Sequence, residues 1–66
     1  MLINFSKLKD GDIFYYKSDK LKKISFRYIN SGLRTLPANA VYMSGSFNGD
    51  VVFFRHDVMV IKEDKL

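Results

Sequence analysis

Apolar and polar positions alternate with period two near the middle of this chain. Ile24, Phe26 and Tyr28 fall on one side, and Lys23, Ser25 and Arg27 on the other. That pattern predicts a half-buried strand with an apolar inner face and a cationic outer one. Upstream, Ile13-Phe14-Tyr15-Tyr16 is aromatic and β-branched. It lies between a turn at Lys9-Asp10-Gly11-Asp12 and a polar loop at Lys17-Ser18-Asp19-Lys20, so it too is expected as a strand. Asn30 to Asn39 contains the breakers Ser31-Gly32 and Leu36-Pro37 and is expected to be irregular, with at most one short helical turn around residues 31–38.

Ala40 to Phe47 and Asp50 to Arg55 flank Asn48-Gly49, a strong signal for a two-residue hairpin. In that register Tyr42 lies opposite Arg55. Val41, Met43, Phe47, Val52 and Phe54 then face the core, while Tyr42, Ser44, Ser46, Val51, Phe53 and Arg55 face outward. A slip of one residue would exchange the two faces. A break at Asp57 precedes a last strand, Val58 to Ile61, and Lys62-Glu63-Asp64-Lys65 is expected to be a solvated tail.

The expected fold is therefore all-β: five short antiparallel strands closing into a small barrel that hides its edges, one domain over residues 1–66. Leu8-Lys9-Asp10-Gly11-Asp12-Ile13-Phe14 resembles the opening strand and turn of small SH3-like barrels. The later order resembles them as well: Asn39-Ala40-Val41, a Gly-containing hairpin, an aromatic-rich strand and a Val-rich closing strand. Minimal barrels of this kind are encoded by tailed bacteriophages as short accessory proteins, and the resemblance implies such a role. The acidic loop and ligand-clamping Trp of signalling SH3 domains are missing, so proline-rich ligand binding is not implied. A second segment, Val52-Phe53-Phe54-Arg55-His56-Asp57-Val58, is similar to the aromatic-basic-His segment of bacterial Sm-like RNA-binding proteins. That likeness implies a ring-forming protein with Arg55 and His56 at an RNA site. It lacks the upstream glycine-and-Asp segment and the N-terminal helix of that family.

Charge sharpens the picture. Lys17 to Arg34 holds Lys17, Lys20, Lys22, Lys23, Arg27 and Arg34 against Asp19 alone, while the whole chain carries a net +4. A small protein thus has one cationic side. With zero Cys there is neither a disulfide framework nor a thiolate zinc site. No apolar run approaches the ~20 residues that span a bilayer, and Met1 to Lys7 lacks the features of a signal peptide. A cytoplasmic protein without membrane contact is expected, in the host cytoplasm if phage-encoded.

Catalytic chemistry finds little support. His56 stands beside Arg55 and Asp57, but neighbouring strand residues point to opposite faces. No serine has a nucleophile-elbow context, the Asp residues lack metal-ligand spacing, and Gly45 and Gly49 belong to a hairpin rather than a phosphate loop. The expectation is a non-enzymatic binding module, a phage-type accessory or inhibitor protein, without cofactor or metal. Its partner is nucleic acid or a host protein with an acidic surface, and homo-oligomerisation is a further possibility. Lys20, Lys22, Lys23, Arg27 and Arg34 supply charge, and Tyr42, Phe53 and Arg55 form a second contact face.

Overall fold

A computed structural model describes residues 1–64. The expected strand Ile13–Tyr16 forms and is here β2; β1 is Leu2–Asn4. Two long strands follow, β3 (Asp19–Ser31) and β4 (Arg34–Tyr42), then the two-residue β5 (Val51–Val52) and β6 (Met59–Lys62). All pair antiparallel in one sheet ordered β1-β6-β2-β3-β4-β5. The fold is all-β as the pattern implies. Six strands replace the expected five, however, and the sheet is open, with β1 and β5 at its edges.

Between β1 and β2, Phe5–Lys7 makes one 3-10 turn, and Lys9 to Asp12 forms the turn expected from Asp-Gly. Asp12 closes it twice. Its backbone N–H donates to the Lys9 carbonyl at 2.9 Å, and its carboxylate accepts from the Lys9 N–H at 2.8 Å. Gly11 supplies the positive φ of 94°.

The core is built around aromatic rings. Phe5, Phe14 and Tyr16 all pack on Phe54, with centroids 5.3, 5.5 and 5.1 Å away, and Phe5 meets Phe14 edge-on at 5.6 Å. Leu8, Leu21, Ala40 and Val60 fill the space around them. Each aromatic pair adds about 1 kcal/mol beyond the area it buries, useful in a chain too short for a large core.

Three sequence expectations are corrected. First, Asn30 to Asn39 holds no helical turn. It is the far half of a β3–β4 hairpin, with Ser31 opposite Arg34 and a two-residue loop Gly32-Leu33. Gly32 alone in that loop has positive φ, 65°, which suits a primed hairpin turn and explains the glycine. Pro37 is accommodated because β5 covers only Ala40 and Val41, leaving the rest of β4's outer edge unpaired.

Second, the regular alternation in β3 is broken. Lys23 pairs with Ala40 and Arg27 with Ala38, so three residues on β3 (Ile24, Ser25, Phe26) stand opposite one on β4. The strand bends there. Phe26 and Tyr28 leave the core side and become 52% and 66% exposed. Lys23 moves the other way, to 14% exposure.

Third, Asn48-Gly49 is not a two-residue hairpin. Gly45–Phe47 makes a 3-10 turn inside a longer loop, and the register is Val41 opposite Val51 and Ala40 opposite Val52. This exchanges the faces of β4. Tyr42, expected outside, is half-buried against the core and Phe47, while Met43 and Phe47 are exposed. Phe54 inward and Phe53 outward hold as expected. In the expected tail, Lys62 belongs to β6 and Glu63 accepts a hydrogen bond from the Tyr15 hydroxyl at 3.2 Å, while Lys65 lies outside the described residues.

Candidate functional site

Beyond the bend in β3, the β3–β4 hairpin projects from the body, and the molecule measures 42 × 24 × 18 Å. Residues paired directly across an antiparallel ladder share a face. One face of this arm therefore carries Tyr28 with Pro37 and Asn30 with Thr35. The other carries Arg27 with Ala38, Ile29 with Leu36 and Ser31 with Arg34. Leu33 stands at the tip, fully exposed. From Lys20 to Gly49 the chain contains no Asp or Glu, so the arm carries only positive charge. Among the described residues Lys17, Lys20, Lys22, Arg27 and Arg34 make no ion pair.

At the base of the arm lies a cleft of about 380 Å³. Phe5 and Phe54 of the core form its floor, and Phe26 and Phe53 its walls, the last two edge-to-face at 6.0 Å. Lys23, Arg55 and His56 also line it. Phe26 in turn meets Tyr28 edge-to-face at 5.2 Å, so a line of exposed rings runs from the cleft onto the arm.

The local architecture explains this placement. Asn39 is buried, and its amide bonds the backbone of Phe54 at both ends. That contact takes the place of a β4–β5 ladder rung just past Val52. With Phe54 held there and turned into the core, its neighbour Phe53 must project outward into the cleft. On the opposite wall, Lys23 Nζ donates to Asp10 Oδ1 at 3.0 Å and to the Ile24 carbonyl at 2.9 Å. The Ser25 hydroxyl donates to the other Asp10 oxygen. The Asp10 carboxyl is held below its ordinary value by the Ser25 hydrogen bond first and then by Lys23. These contacts brace the bend.

The sequence-expected residues therefore divide. Lys23, Phe53 and Arg55 come together at the cleft, and Arg27 and Arg34 sit on the arm. Lys20 and Lys22 pair with Tyr15 and Ile13 on the body. Tyr42 is withdrawn by its packing. Lys23 is engaged internally, and Arg55 Nε lies 3.5 Å from Asp57. Phe26 and Tyr28, assigned to the core by the alternation, are the exposed aromatics that sequence reasoning missed. The signal lay in Gly32, which marks a hairpin tip and extends β3 well past the expected core. Among the described residues no group of His, Asp or Glu is arranged to hold a metal ion, and no helix is long and apolar enough to cross a membrane. No protein-family model, curated protein or solved structure matches this chain.

Proposed function

We propose that this protein is a non-catalytic binding module that engages nucleic acid through the β3–β4 arm and the aromatic line at its base. The observation that carries the reading is the coincidence, on one acid-free arm, of Arg27 and Arg34 on one face, without an ion pair among the described residues, and the exposed rings of Phe26 and Tyr28. Cations supply sequence-independent attraction to phosphates, and rings supply stacking faces that every base can use. An exposed aromatic group this size on a small domain calls for a partner of some kind. The absence of Asp and Glu from Lys20 to Gly49 favours a polyanion.

The resemblance to small SH3-like barrels of phage accessory proteins is in keeping with a compact cytoplasmic binder of this type. Binding of a labelled oligonucleotide at low salt tests the reading, with affinity expected to fall log-linearly as salt rises. Absence of binding to DNA and RNA alike, together with one dominant acidic protein in a pull-down from host lysate, would replace nucleic acid with a protein partner.

A further inference from the structure

We infer that the cleft at the base of the arm accepts one unstacked base of a single-stranded nucleic acid, which makes the protein selective for single strands over duplex. The inference rests on the nucleic-acid reading and assigns its specificity.

The cleft's size, its rings, its rim and its continuity with the arm lead there. The cleft has about 380 Å³, within the range of roughly 300 to 1,000 Å³ typical of small-ligand sites. Its exposed walls are two rings set at 80° to each other, so a planar group resting on one presents its edge to the other. Asn39, which also lines the cleft, is buried and bonds the Phe54 backbone through both ends of its amide, so the ring faces are the larger part of what the cleft offers a base. Recognition by ring faces without edge readout is sequence-tolerant.

The rim supplies the charge. Lys23 is spent on Asp10 and the Ile24 carbonyl, so the phosphate beside the base falls to Arg55. Asp57 lies 3.5 Å from Arg55 Nε, and a guanidinium has five N–H donors, more than one carboxylate takes up. Continuity then selects a strand over a free nucleotide. Phe26 is both a wall of the cleft and the partner of Tyr28 at 5.2 Å, so the next base has a platform on the arm. Bases inside a duplex are already stacked and cannot offer their faces to either ring.

The test is fluorescence anisotropy on one mixed-sequence DNA of about 12 nucleotides, as a single strand and annealed as a blunt duplex. The proteins compared are wild type, Phe26→Leu, Phe53→Leu and Arg27→Ala. The leucine variants keep apolar volume at exposed positions and remove the ring face; their fold is checked by circular dichroism and thermal melting. The single strand is expected to bind at least ~10-fold tighter than the duplex. Phe53→Leu and Phe26→Leu should each weaken single-strand binding by about 10-fold and leave duplex binding unchanged. A 2-aminopurine placed mid-strand should change its emission on binding wild type and not on binding Phe53→Leu.

Equal affinity for both forms, unaffected by either leucine variant but lowered for both by Arg27→Ala, would overturn the cleft assignment and leave the basic arm standing. Adenosine monophosphate binding as tightly as the strand would overturn the choice of a strand. Failure of either DNA, and of the matching RNA, to bind at low salt would remove the nucleic-acid reading itself.

Discussion

Asn39 holds Phe54 by its main chain: Nδ2 donates to the Phe54 carbonyl at 2.9 Å, and Oδ1 accepts from the Phe54 N–H at 2.8 Å. One side chain thereby does the work of a missing strand pair. It fixes a residue that touches three other aromatic rings. Asn39→Ala leaves a buried N–H and a buried C=O without partners. The expected cost is about 2 to 4 kcal/mol, a large share of the stability of a domain this small. Urea denaturation measures it. A loss below about 0.5 kcal/mol would mean that water replaces the amide without penalty.

The β2–β3 turn stores strain that can be relieved. Lys17 and Ser18 have φ of 49° and 70°, a conformation that side chains with a Cβ disfavour. Lys17→Asn with Ser18→Gly supplies the residue pair that such a turn prefers, and should stabilise the protein by about 1 kcal/mol. The check is a raised melting temperature. No change, or a fall, would show that the turn is relaxed as it stands.

Asp10 gives the acid side of the stability curve a specific contributor. Its folded-state pKa lies below the ordinary 3.8 because Ser25 and Lys23 bond the carboxylate. Between the two values the unfolded chain binds more protons, so stability rises with pH there. The contribution is complete above 3.8 and is lost as pH falls through the depressed folded value. Asp10→Asn should therefore be less stable than wild type at neutral pH, with the gap closing in acid. Urea midpoints between about pH 2 and pH 6 follow it. A gap independent of pH would remove Asp10 as the titrating group.

The arm arginines should act on affinity and hardly at all on folding. Arg27→Ala and Arg34→Ala each remove at most one phosphate contact, which lowers the slope of log affinity against log salt by about 0.7 on a single strand. Lys23→Ala is expected to do the reverse, lowering stability through the lost Asp10 pair while leaving that slope intact. If Lys23→Ala flattened the salt dependence and the arginine variants did not, the assignment of roles would be inverted.

The contrast between Lys23 and Arg27 shows what could be read from the sequence. Period two at Lys23 to Tyr28 placed a strand correctly, because alternation reports local backbone. It also assumed that the pleat runs unbroken. The bulge between Lys23 and Arg27 depends on Gly11 and Asp12, whose backbones bond that of Lys23 at 2.7 and 2.8 Å from a distant part of the chain. No local pattern records such a contact. Phe54 inward and Phe53 outward were legible, as was the Asp-Gly turn before β2. Tyr42 was not, since the loop after it is longer than Asn48-Gly49 suggests and an odd register shift exchanges faces. The charge asymmetry was plain in the sequence; that its aromatics are exposed required the bend.

The arm's separation from the core also bears on how this protein can change over generations. From Arg27 to Pro37 no side chain is fully buried, and the aromatic cluster around Phe54 lies in the body. Substitutions at Tyr28, Leu33 or Arg34 can therefore accumulate with little penalty to the folded state. A chain with so small a margin of stability would otherwise risk unfolding each time its recognition surface was altered. Here the arm, through which we propose that a partner is met, is free to drift toward a new one.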